Sequence, residues 1–251
     1  PRVITPPGVM AFGHFVFDPE RSHSDAVLQV PEWVVGRRDG VTWVTQISTE
    51  PITAPPKAPT PGPVRRHPGT VTYADGSLSA IEWERRVHMA IERIRAGELE
   101  KAVLAREMVA TGSEGIDARH LAANLATSYH RCWTAMVDRW VGASPEMLVR
   151  RRDGLVTSRV LAGTIQRTSE ADADRALATH LARSSKDLGE HEYAVASVAE
   201  ALEPWCSGMN VPDAPYVLEL PNVFHLASDV TGVAKQGATS LGLAAALHPS
   251  A

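Results

Sequence analysis

Six positions combine residue types and settings that could do chemistry. They are Lys101 in EKAVLAR, Glu146 in VGASPEMLVR, Gly163 and Thr164 in LAGT, Glu190 in SSKDLGEHEYAV, and His225 in PNVFHLAS. All sit inside apolar or small-residue segments, where folding alone places charged groups only if they are paired or used. Read as a strand, Glu100 to Val109 puts Lys101, Val103 and Ala105 on one face and Ala102, Leu104 and Arg106 on the other. Lys101 is then either an edge lysine with its ammonium in water or an enclosed amine. Apolar walls disfavour the charged form of an amine and let it act as a general base. Glu146 either caps the turn Gly142-Ala143-Ser144-Pro145 or points into the space that turn leaves open. There, desolvation would let a carboxyl hold a proton to donate. Glu190 lies near the start of a helix, where it either complements the dipole or offers oxygen to a hard cation such as magnesium. Leu161 to Thr164 ends a strand with residues small enough for a ring to approach the backbone, although any tight turn also favours glycine. His225 lies in an apolar strand, as a core histidine or a functional one.

The elements that must position these residues follow from periodicity. Alternation over Val9 to Phe17, with Val27 to Val30, Trp33 to Gly36 and Val41 to Ile47, predicts a β meander over 1–50, its last hairpin turning at Arg37-Arg38-Asp39-Gly40. Pro51, Pro55, Pro56, Pro59, Pro61, Pro63 and Pro68 make 51–72 an extended connector. Ser79 and Glu82 form a capping box for a helix that Gly97 stops. Helices are also predicted from Asp117 to about Tyr129, over Ala171 to Ala182, Lys186 to Leu202 and Ser240 to Leu247. Strands are predicted over Trp133 to Gly142, Glu146 to Arg151, Leu155 to Leu161, Tyr216 to Leu220 and Phe224 to Gly232. Strands and helices do not alternate regularly and no repeat appears, so the class is α+β.

Composition narrows the function. The 251 residues carry a formal net charge of -4 with scattered basic residues, which argues against nucleic acid as a partner. The dense run Arg150-Arg151-Arg152, beside Asp153-Gly154, reads as a strand entering a turn. Cys132 and Cys206 are too few for a disulfide scaffold and lack metal-ligand spacing, which suits a reducing cytoplasm. No apolar run is long enough to cross a bilayer, so no membrane role is expected.

The segments EKAVLARE, VGASPEMLVRR, SRVLAGTIQR, SSKDLGEHEYAV, LPNVFHLASDVTG and the terminal LAAALHPSA, in that order, resemble the chorismate-utilising enzymes, most closely the isochorismate synthases. The resemblance covers Glu100 to Ala251 and implies an α+β fold of stacked mixed or antiparallel sheets flanked by helices. It also implies 73–251 as the chorismate-binding region, and a monomeric, magnesium-dependent isomerase in menaquinone or siderophore biosynthesis. By the same resemblance Lys101 activates water against ring carbon 2 and Glu146 protonates the departing 4-hydroxyl. Glu190 binds magnesium, Gly163 and Thr164 line the ring pocket, and His225 contacts substrate. Lysine at position 101, where anthranilate synthases carry glutamine, favours water over ammonia. Ala162 stands where aminodeoxychorismate synthase places a nucleophilic lysine. The alternatives are a salicylate synthase, which also eliminates pyruvate, and a truncated inactive module. Two departures accompany the resemblance. Ile165-Gln166-Arg167 follows Thr164 where many relatives have arginine at once, and the family's second magnesium glutamate and its carboxylate-binding residues are expected beyond Ala251.

Overall fold

Two long antiparallel strands carry the core. In the computed structural model, which describes residues 8–54, 60, 62–138, 140–168 and 170–248, β10 (Leu155–Gln166) pairs with β13 (Val223–Ala234) along almost its whole length. β9 (Met147–Arg152) flanks β10, while β11 (Cys206–Asn210) and β12 (Tyr216–Glu219) both pair with β13, giving a five-stranded antiparallel sheet. The β9–β10 turn places Asp153 and Gly154 at positive φ, as a two-residue hairpin turn requires.

Alternation decides which face of this sheet is covered. Val156, Val160 and Val230 are buried in a cluster with Ala194, Val195 and Leu202 of α4 (Ser185–Leu202) and Leu243 and Leu247 at α5 (Ser240–Ala246). A second cluster joins Leu226 and Phe224 to Leu181 of α3 (Ala171–Arg183). The opposite face carries a smaller cluster of Leu218, Leu220 and Ala227, with Leu161 and Cys132 packed against it. Ser184 and Thr239 cap α4 and α5 through backbone N–H groups three residues on.

The chain divides into two compact units, Gly62–Leu121 and the remainder, Pro1–Pro61 with Ala122–Ala251. The smaller unit holds the hairpin of β5 (Val71–Asp75) with β6 (Met108–Gly112), and α1 (Ala80–Arg95). Ser79 accepts the Glu82 N–H, and Gly97 takes positive φ just past the end of α1, so start and stop lie where the residues predict. α2 (Ala118–Ser128) follows Asp117, whose carboxylate accepts the Arg119 N–H.

Several expected elements differ. Glu100 to Val109 is not a strand: the ladder begins at Met108, because β5 ends at Asp75 and residues 101–107 have no strand to pair with. The meander is two separate hairpins, β1 (Phe12–His14) with β2 (Val27–Gln29) and β3 (Trp33–Arg38) with β4 (Val41–Gln46). Pro31, which lacks a backbone donor, lies where the ladder would have continued. Trp133 to Gly142 is a hairpin, β7 (Trp133–Val137) with β8 (Trp140–Ser144), turned at Asp138 with φ 51°. LAGT does not end its strand. Gly163 absorbs a register shift at φ 79° and β10 runs on to Gln166. β5 and β11 were not expected. Connector residues 55–59 and 61, and the terminal positions 1–7 and 249–251, lie outside the described residues.

Candidate functional site

The bulge at Gly163 organises the site residues of the larger unit. Before it, Val156, Val160 and Ala162 face α4; after it, Ile165 lies on that same helix-covered face, packed in the cluster of Phe224, Leu226 and Leu181 of α3. The extra residue therefore shifts the alternation by one and turns Thr164 to the face opposite α4. His225 is its cross-strand partner, and Thr164 Oγ1 lies 2.8 Å from His225 Nδ1. The His225 ring is half-buried, and desolvation holds its pKa below the ordinary 6.5.

A side chain at position 163 would be crowded as well as strained. Its Cβ would lie 3.1 Å from Asp187 Cβ and 3.2 Å from Leu226 Cδ1, so the first turn of α4 sits directly on the bulge. Glu190 lies one turn further along α4 and is half-buried. Among the described residues no group of three or more His, Cys, Asp or Glu is gathered to hold a metal ion. An ion at Glu190 would rest on that carboxylate with water and substrate oxygens, a coordination that magnesium accepts.

Glu146 immediately precedes β9, at the edge of the same sheet. Its backbone N–H donates to Ser144 Oγ at 3.1 Å, which fixes the turn. The residue keeps solvent-exposed surface, yet its carboxyl is raised above the ordinary 4.5 by desolvation, opposed by a backbone interaction with Leu161. Protein mass packed around the carboxyl, more than the open side, sets that direction.

Lys101 belongs to the smaller unit. It is exposed, in the segment preceding β6, without the apolar walls that a strand there was expected to supply. The structure thus brings together Gly163, Thr164 and His225, seats the helix of Glu190 on the same bulge, and places Glu146 at the edge of their sheet.

The chain matches the chorismate binding enzyme family over residues 3–251. It belongs to that family. Isochorismate synthase DhbC of Bacillus subtilis is 34% identical over 181 residues, 67% of this chain and 46% of that protein. A salicylate biosynthesis isochorismate synthase of Pseudomonas aeruginosa is 35% identical over 196 residues, 75% of this chain and 41% of that protein. The crystal structure of DhbC from Bacillus anthracis superposes with a TM-score of 0.72 at 29% identity, covering 96% of this chain and 59% of that one. The chain thus spans about half the length of the relatives it matches, and its α+β architecture is that of the chorismate-binding fold.

Two groups that the fold relies on were given no role in the sequence reading. Arg167, which stands where the family pattern departs, donates to Asp174 at 2.8 Å and to the Leu220 carbonyl, pairs with Glu219, and lies 5.0 Å over the Phe224 ring. Asp174, buried at 4% exposure, also accepts the Thr168 N–H and hydroxyl. Arg167 therefore ties the end of β10 to α3 and β12. The second group is His191 with Ser228, both 2% exposed. Ser228 interrupts the buried positions 226 and 230 at a spacing of two, a signal readable in LPNVFHLASDV.

Proposed function

We propose that this chain carries the chemistry of an isochorismate synthase, an isomerase converting chorismate to isochorismate. By the family resemblance Lys101 takes a proton from water, whose oxygen bonds to ring carbon 2, its amine being desolvated by bound substrate and not by protein walls. The ring double bonds shift, and the 4-hydroxyl leaves as water after Glu146 donates its proton. One water enters and one departs, so the reaction needs no redox partner. Thr164 and His225 bind the ring system, and the left-handed Gly163 contributes by turning Thr164 onto that face of the sheet. Magnesium held at Glu190 would supply positive charge that offsets the substrate carboxylate. The product would feed menaquinone or siderophore biosynthesis.

The observation that carries this reading is Glu146, a carboxyl whose pKa desolvation raises, at the edge of the sheet that bears Thr164 and His225. An acid for a leaving hydroxyl must hold its proton near neutral pH, and desolvation moves Glu146 in that direction. The order of the motifs in a chain of this family, and a lysine at position 101, add support for water as the nucleophile.

The test is chorismate incubated with magnesium and resolved by product chromatography. Isochorismate as the product supports the proposal. Release of pyruvate with salicylate would replace it with a salicylate synthase, and no magnesium-dependent loss of chorismate would reject catalysis. Lys101→Ala and Glu146→Gln are each expected to lower kcat by about 100-fold or more, the scale of a lost general acid or base. Near-native turnover in either variant removes that residue from its role.

A further inference from the structure

We propose that His191 is a positioning residue, a clamp that holds the Gly163 bulge of β10 to helix α4 through one hydrogen bond on each ring nitrogen. Nδ1 lies 3.2 Å from the Ala162 carbonyl oxygen and Nε2 lies 2.9 Å from Ser228 Oγ. A carbonyl only accepts, so Nδ1 carries the ring proton and donates it to Ala162. Nε2 then has a free lone pair, and the Ser228 hydroxyl donates to it. Both polar ends of a side chain that is 2% exposed are thereby satisfied.

The position of these bonds gives them their consequence. Ala162 is the last residue in register before the bulge, and Ser228 lies on β13, two residues beyond Leu226, the cross-strand partner of Ala162. The imidazole thus joins α4 to both central strands at the point where β10 changes alternation. The contact of Asp187 with position 163 comes from the preceding turn of the same helix. Together these fix how far the bulge can slide and how α4 is rotated about its axis. Rotation matters because Glu190 is the adjacent residue, displaced by about 100° around the helix. Slippage at the bulge matters because Thr164 reaches His225 only in the shifted register. The functional consequence rests on the isochorismate synthase reading, whereas the clamp itself does not.

The test uses two isosteric variants. The asparagine of His191→Asn places an amide N–H near the position of Nδ1 and can keep the bond to Ala162. The glutamine of His191→Gln reaches toward Ser228 and loses Ala162. Amide hydrogen exchange of the wild-type chain and both variants is followed over residues 161–166, with 229–231 as the internal reference. In His191→Gln, exchange over 161–166 should quicken on the order of tenfold while 229–231 stays protected, and His191→Asn should remain close to wild type. Unchanged exchange at the bulge in His191→Gln, or equal acceleration in both variants, overturns the clamp. Chorismate turnover separates the two readings. A His191→Gln enzyme that loses kcat with KM held supports positioning, and wild-type kcat alongside a loosened bulge overturns it. A wild-type protein that leaves chorismate unchanged defeats the isochorismate synthase reading, and exchange still decides the clamp.

Discussion

The sheet of β9–β13 and the Gly62–Leu121 unit bury their apolar residues very differently. In the sheet, Val156, Leu226, Ala227 and Val230 are each at most 1% exposed. In the smaller unit α1 has no buried residue, and its stripe leaves Ile91 38% and Ile94 37% exposed. Burial of that degree fixes side-chain positions, since packed interiors tolerate few alternatives. Thr164, His225 and the helix of Glu190 therefore inherit their placement from a core, whereas Lys101 lies between the two strands of the β5–β6 hairpin, whose residues are mostly exposed. The comparison separates residues held by a packed core from a residue in a mostly exposed segment.

The largest effect that would sharpen this contrast is truncation of matched aliphatic side chains. Leu226→Ala empties a fully buried site between α3, α4 and the sheet and is expected to cost about 2–5 kcal/mol of unfolding free energy. Ile94→Ala on α1 removes a partly exposed side chain and should cost about 1 kcal/mol or less. Chemical denaturation of both variants measures the pair. Equal losses would break the comparison by showing that α1 is as tightly packed as the sheet.

A smaller effect is expected from two glycines with nearly the same backbone. Gly163 has φ 79° and Gly115, in the smaller unit, has φ 76°. A Cβ at 115 meets nothing within 4 Å, while one at 163 meets Asp187 and Leu226 at 3.1 and 3.2 Å. Both Gly→Ala changes incur the left-handed penalty of about 1–2 kcal/mol. Only Gly163→Ala also has to displace helix α4, so its loss of melting temperature should be the greater. An equal loss would mean that the bulge yields without cost.

The same contrast explains what could be read from the residues. Val156, Ser158 and Val160 alternate over the face that α4 covers, and the Ser79–Glu82 pair marks the start of α1, so the α+β class and most elements are visible in the chain. β5 was hidden because Val71–Asp75 is short, largely exposed and follows a proline-rich stretch. β11 was hidden because Ser207, Gly208 and Asn210 look like a turn, and Gly208 does take positive φ within an irregular ladder. The strand expected at Lys101 failed for a related reason. Alternation in EKAVLAR is genuine, but a strand needs a neighbour, and where β5 would end is not written in that segment. Gly163 was legible as a site of close approach, yet not as a bulge, because a register shift depends on the partner strand.

The smallest expected effect concerns acid. The desolvation that lowers the His225 pKa from 6.5 disfavours its charged form in the fold. Below that ordinary value the unfolded chain binds a proton more readily than the folded one, so stability contributed by neutral His225 is present at higher pH and is lost as pH falls toward the folded pKa. Replacing the ring by His225→Asn removes this titration while leaving an amide to meet Thr164. The drop in melting temperature between about pH 7.5 and about pH 5.5 should therefore be smaller in the variant than in the wild type. A wild-type drop matched by the variant would show that acid acts elsewhere. A larger drop in the variant would reverse the sign and mean that the fold stabilises the protonated ring, contrary to an imidazole set half-buried on the sheet.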